Sequence, residues 1–343
     1  MGKIKFRDIK MSRQNQERLS FINEIIQEYQ EQNYILTLRQ LYYQLVSRDV
    51  IPNKQNEYAK LSNLLKEGRM AGIVDWDAIE DRLRKPDYPA YWESPASIIG
   101  ACINQYRKNR QKGQNVHVEV WVEKDALSGV LKRVTEKYGV PIMVNRGYSS
   151  VSAMFDSYER FYKAFKNNQS VKILYLGDFD PSGLDMIRDI KARIDEFITG
   201  SDDVKDLIEI DYDDDFYQDI YQHLLKQNTD VTIAAQVACE MYRNKHVSNF
   251  TDKFNVLPIA LTIEQIRAYN PPPNPAKITD PRAKDFMKNY GGTSWEVDAL
   301  KPQILHKIVE DAILKNIDID IYNDIIDSEQ DDIEKLEKLS ENM

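Results

Sequence analysis

Residues 116–127 read VHVEVWVEKDAL and residues 171–186 read VKILYLGDFDPSGLDM. Each stretch is an apolar run of strand length, rich in β-branched and aromatic residues, that gives way to carboxylates and then to a helical pattern. Around them the chain keeps this punctuation. DALSGVLKRVTEKYG reads as a helix, PIMVN as a strand, SAMFDSYERFYKAFKN as a helix, and PSGLDMIRDIKARIDEF as a helix opened by Pro181. Such βα alternation predicts an α/β domain with a mainly parallel sheet and flanking helices, whose ligands gather beyond the carboxyl ends of the strands.

Three carboxylates stand where ligands are expected. Glu123 ends the first run; Asp178 and Asp180 follow the second. Close like charges repel unless a cation or a proton intervenes, and Mg²⁺, which takes a few carboxylate oxygens and keeps waters for exchange with phosphate, suits such a set. Mn²⁺ is the expected substitute. In an extended segment Asp178 and Asp180 face the same side, with Phe179 turned away. The helix beginning at Pro181-Ser182-Gly183 would direct free N–H groups toward a phosphate. A lone DxD is more often an ordinary acidic loop; the upstream strand-end Glu123 is what singles this one out.

The chain ahead of these motifs is helical in pattern. Residues 13–32 space Leu19, Ile22, Ile25, Ile26 and Tyr29 at three- and four-residue intervals, Thr37 is placed to cap TLRQLYYQLVSRD, and NEYAKLSNLLKEGRMAG supplies a third helix ending near Gly68 or Gly72. Three short helices followed by GIVDWDAI predict a helix-turn-helix or winged-helix-like DNA-binding domain over 1–113. The basic, glycine-containing stretch near 110–115 marks the boundary, 114–325 holds the α/β domain with its C-terminal extension, and 326–343 is expected to be an acidic, solvent-exposed helical tail. Within the second helix Arg39 and Tyr43 are four apart and share a face. An arginine there could stabilise a phenolate or a phosphate charge. Equally, Tyr42 and Tyr43 could simply pack.

Bulk composition sets limits. The 343 residues carry a net charge of −9, which hides an asymmetry: 19 lysines and arginines against 14 acids over 1–113, net +5, and 27 against 41 over the remainder, net −14. Basic charge therefore concentrates where DNA contact is expected. No apolar run reaches the roughly 20 residues of a membrane helix, MGKIKFRDIK lacks the apolar core of a secretory signal, and Cys102 and Cys239 form no metal or disulfide pattern. A cytoplasmic protein with no membrane partner is expected, with both thiols as buried small hydrophobes. His117, His223, His246 and His306 show no ligand spacing. Lys124 and Arg146 are further candidates for phosphate contact, as are Asn274, Lys277 and Arg282 in the proline-rich stretch near 271–282.

VEVWVEKDAL with GDFDPSGLDM resembles the Toprim domain of topoisomerases, primases and certain nucleases, whose metal site is one Glu plus a downstream DxD. Upstream, a helical domain bearing RQLYY resembles the A subunit of DNA topoisomerase VI and the meiotic double-strand-break transesterase. That resemblance implies Tyr43 as nucleophile, Arg39 as its partner, and a homodimer in which tyrosine and metal come from different protomers. NRGYSS and SWEVDAL, the latter containing Glu296, are weaker echoes of the same family. Gln40 departs from the acidic residue usual after the motif arginine, and Ser149 from a proline after Gly147-Tyr148. No glycine-rich nucleotide loop is present, so strand passage would require a separate ATPase or regulatory subunit. Three functions follow: DNA cleavage by tyrosine transesterification, a Toprim endonuclease that uses water, and a non-catalytic DNA-binding scaffold.

Overall fold

The computed structural model describes residues 2–80, 89–145, 147–275 and 282–341. Three helices come first, α1 (Arg13–Gln30), α2 (Leu38–Ser47) and α3 (Gln55–Met70), followed by α4 (Pro95–Gln105). Capping sets where α2 starts. The Thr37 hydroxyl accepts from Gln40 N–H while the Gln40 side chain receives the Thr37 N–H, so two otherwise orphaned donors are satisfied. Isolated bridges, Lys5 with Ala71 and Leu36 with Ile79, tie the flanking segments to the three helices.

The chain then alternates as its apolar pattern requires: β1 (Val116–Val122), α5 (Ser128–Tyr138), β2 (Ile142–Val144), α6 (Val151–Lys166), β3 (Ser170–Leu176) and α7 (Pro181–Gly200). A helical insertion follows, α8 (Asp202–Lys205), α9 (Asp215–Lys226), α10 (Val231–His246) and α11 (Ser248–Asp252), before β4 (Phe254–Ala260). The four strands form one parallel sheet in the order β2-β1-β3-β4. Beyond it lie α12 (Ile263–Tyr269), the short pair β5 (Asn274–Pro275) and β6 (Thr293–Ser294), α13 (Ala283–Tyr290) between them, a 3₁₀ turn at Val297–Ala299, α14 (Pro302–Leu314) and α15 (Ile319–Glu341).

Alternation along the strands divides the core. Val118, Val120, Val122, Leu174 and Leu176 face a cluster that includes α5, α14 and the buried residues of α1 to α3. Trp121, Val171, Ile173, Tyr175 and Phe254 face a second cluster built on α6 and α7. Both faces of the sheet are therefore covered, as an all-parallel sheet demands. The helical N-terminal segment shares the first cluster, so apolar contact joins it to the sheet.

Two expectations are corrected. Cys102 is exposed and Cys239 half-buried, so neither thiol is a fully buried hydrophobe. The acidic tail is anchored at its start: Glu329 is buried and takes Arg110 Nη2 at 2.6 Å and the Lys108 N–H at 2.8 Å, while Asp332 pairs with Lys108 at 2.6 Å. The basic residues near 110 are thus partners of the tail. Among the described residues no helix is long and apolar enough to cross a membrane.

Candidate functional site

The strand order places a reversal between β1 and β3. The chain leaves β1 for β2 on one side, then crosses back to β3 on the other, opening a crevice at the carboxyl ends of β1 and β3. Glu123 follows β1 and Asp178 follows β3, and their backbones interlock: Glu123 N–H donates to Leu176 O at 2.9 Å, and Asp178 N–H donates to Glu123 Oε2 at 3.1 Å. Asp180 caps α7, accepting Gly183 N–H at 2.7 Å. Gly183 is obligatory there, because a Cβ would lie 2.1 Å from the Asp178 carbonyl oxygen. Phe179 turns into an aromatic cluster with Phe286, Tyr290 and Trp295, and exchanges backbone hydrogen bonds with Trp295.

That exchange brings in a segment whose part sequence reading had only partly found. Next to Trp295, Val297 N–H donates to Asp178 Oδ1 at 2.9 Å, and Glu296 and Asp298 reach into the crevice. Lys124 Nζ lies 2.7 Å from Asp178 Oδ1, 2.9 Å from Glu296 Oε2 and 2.9 Å from Asp298 Oδ1. From α2, Arg39 donates to Glu296 and, at 2.5 Å, to Asp298 Oδ2. Tyr43 is 4% exposed, its ring centroid 5.7 Å from the Arg39 guanidinium carbon and its hydroxyl beside Glu296. One network therefore runs from Tyr43 and Arg39 through Glu296 and Asp298 to Lys124 and Asp178, within a single chain.

The network carries five carboxylates, Glu123, Asp178, Asp180, Glu296 and Asp298, against Lys124 and Arg39. Burial pushes Asp178 up to about 7, with Glu123 and Asp298 adding to it and Lys124 opposing. Glu123 is also raised, by burial first and by Asp180 and Asp298. Tyr175, beneath them, is held protonated by burial first and then by Glu123, Asp178 and Asp180. Glu296 behaves oppositely: against the effect of burial, Lys124, the Tyr43 hydroxyl and Arg39 bring it down to about 2. Tyr43 is raised well above a free phenol by burial, Asp298 and Glu296.

Among the described residues no three His, Cys, Asp or Glu side chains stand ready-made as a metal-binding group. The donor chemistry nonetheless fits a hard divalent cation. Glu123, Asp178 and Asp180 offer only oxygen, and with Glu296 and Asp298 they outnumber the two cations Lys124 and Arg39.

Beside the network opens a cleft of about 390 Å³ lined by Arg39, Tyr42, Tyr43, Asn53, Gln55, Tyr58, Asn274 and Glu296. Asn53 donates to Asn274 Oδ1 at 2.6 Å, and Asn274 to Glu296 Oε1 at 3.3 Å. A larger hollow of about 1050 Å³ between α6 and α7, walled by Phe155, Tyr158, Tyr162 and Phe197, shares no residue with the carboxylates.

Tyr43, Arg39, Lys124, Asp178, Glu296 and Asn274 thus belong to one constellation with Glu123 and Asp180 at its edge. Arg282 stands apart from it, pairing with Asp185 at 3.0 Å beside Tyr148. Arg146 and Lys277 lie outside the described residues. His117, far along β1, bonds Glu119 at 3.1 Å. Sequence reading missed Asp298, whose signal was only a second carboxylate two residues after Glu296. Its side chain is fully buried yet touches both cations of the site.

Comparison with protein-family models, curated proteins and solved structures returns no match.

Proposed function

We propose that the chain is a metal-dependent DNA-cleaving enzyme similar to the topoisomerase VI A subunit, with a winged-helix-like N-terminal part and a Toprim-like α/β part. The supporting observation is the continuous network that joins Tyr43 and Arg39 to Lys124 and Asp178 through Glu296 and Asp298. In this reading Tyr43 attacks a DNA phosphodiester, the new phosphotyrosine bond forming as the bond to the leaving sugar oxygen breaks; the phenol proton leaves to solvent and a proton ends on that oxygen, while Arg39 steadies the negative charge that develops. Glu123, Asp178 and Asp180 would hold Mg²⁺ or Mn²⁺, whose contribution there is polarisation of phosphate oxygens. A homodimer, in which the resemblance implies that tyrosine and metal come from different protomers, would present two such sites to the two strands. Strand passage would still require an ATPase subunit.

One observation favours a second reading. Tyr43 is nearly inaccessible and its phenol is held protonated by burial, Asp298 and Glu296, conditions that suit a structural tyrosine and a water nucleophile. Covalent capture separates the two. Supercoiled plasmid is incubated with the protein and Mg²⁺ or Mn²⁺, quenched with detergent and examined for protein attached to DNA ends. Transesterification requires an adduct with wild type and none with Tyr43→Phe or Asp178→Ala. Free ends that persist in Tyr43→Phe and vanish in Asp178→Ala select the endonuclease. Intact plasmid with retained DNA binding reduces the protein to a scaffold.

A further inference from the structure

We infer that Lys124 is an internal cation that holds the metal's place, and that a divalent ion arriving at Asp178 releases its ammonium to bind a phosphate. The inference rests on the metal site proposed above and goes beyond it, by assigning an order to metal and phosphate. Three carboxylates surround one ammonium, Asp178 at 2.7 Å and Glu296 and Asp298 at 2.9 Å. An ammonium has three N–H donors and no more, so Lys124 cannot keep these partners and hold a phosphate as well. Arg39, the other cation of the site, bonds Glu296 and Asp298 through Nη2 and Nε and keeps further N–H donors.

Lys191 shows the contrast within the same molecule. Its ammonium is held by the carbonyl oxygens of Thr251 and Phe254, each at 3.1 Å, with Asp195 at 3.1 Å. Neutral carbonyls fix that lysine without offering a place to a metal. The partners of Lys124 are carboxylates, the oxygens a divalent ion prefers, and one of them, Asp178, is a proposed metal ligand. The exchange keeps the local balance: the divalent ion takes the place of the ammonium at Asp178 and displaces any proton that Asp178 or Glu123 holds.

Calorimetric titration with Mn²⁺ tests this, using wild type, Lys124→Met, Lys124→Gln should the methionine variant not fold, Arg39→Gln and Asp178→Ala. The lysine variant is expected to bind roughly tenfold more tightly than wild type, since one charge-assisted hydrogen bond no longer has to be broken. Arg39→Gln removes the same charge without touching Asp178 and should change affinity by about threefold at most, the effect of a screened neighbour. In wild type, acylation of Lys124 by an amine-reactive ester, mapped by mass spectrometry, should accelerate on adding Mg²⁺ while Lys191 stays constant. Unchanged or weaker Mn²⁺ binding in the lysine variant, or an ammonium better protected with Mg²⁺, overturns the inference while leaving the metal site standing if Asp178→Ala alone loses binding. No Mn²⁺ binding by any of the proteins overturns both.

Discussion

Two carboxylates four residues apart, Glu119 within β1 and Glu123 just beyond its end, meet opposite surroundings. Glu119 is fully buried, yet Arg160 grips it with two nitrogens at 2.8 and 3.0 Å, Trp121 Nε1 donates at 2.9 Å and His117 stands at 3.1 Å. Although burial opposes it, His117 and Arg160 hold its carboxyl at about 2. Glu123, just beyond β1, has one backbone N–H, and burial first, then neighbouring acids, push it and Asp178 the other way. Glu119 is matched by its neighbours. At the crevice carboxylates outnumber cations, and that excess is what sets a candidate site apart from a structural ion pair.

The comparison is sharpened most by activity. If the proposed site is right, Asp178→Ala should lower plasmid cleavage by roughly 10³-fold, since it removes a proposed metal ligand and with it several kcal/mol of transition-state stabilisation. The same change should leave the urea midpoint of the metal-free protein unchanged or higher, because it relieves repulsion. Glu119→Ala should do the reverse, costing about 3 kcal/mol in urea denaturation by stranding Arg160, while the folded fraction still cleaves. Equal loss of cleavage in the two variants would break the distinction.

Acidity separates the pair next. Asp178 has its folded pKa raised to about 7, above the ordinary carboxylate value of 3.8, so its ionisation disfavours folding. Its favourable contribution is complete below about 4 and is lost as pH rises toward 7. Glu119 is depressed to about 2, so its contribution is present above its ordinary value of 4.5 and lost as pH falls through 2. Between pH 7.5 and 5, metal-free wild type should therefore gain stability relative to Asp178→Asn, measured by chemical denaturation at each pH. An identical pH profile for the two proteins would remove the case for excess charge at Asp178. The smallest effect belongs to the cleft: Asn274→Ala should cost about 1 kcal/mol through its bonds to Asn53 and Glu296, readable as a small shift in urea midpoint.

Much of this architecture is legible along the chain. Apolar runs that end in Glu123 and Asp178 mark parallel strands, Thr37 marks the start of α2, and Pro181 with Gly183 marks a helix opening on the crevice, because strand alternation and capping are local physics. The helices between 202 and 252 were not read, although α9 spaces Phe216, Tyr217, Ile220, Tyr221 and Leu224 as an apolar stripe; that insertion packs in part on itself, Tyr217 against Tyr242. Local pattern could also place Arg39 and Tyr43 on one helix face.

What the pattern could not decide is which residues stand opposite one another. That Glu296 and Asp298, more than 250 residues from Arg39, bind it and Lys124 together follows from the exchange between Phe179 and Trp295 and from α2 packing beside the 3₁₀ turn. The sequence by itself determined the strand-end carboxylates and the tyrosine helix, because each depends on neighbours within a few residues. Only the tertiary structure decided that they share one charged network within a single chain, because long-range Coulomb contact depends on distance in space and leaves no periodic trace along the sequence.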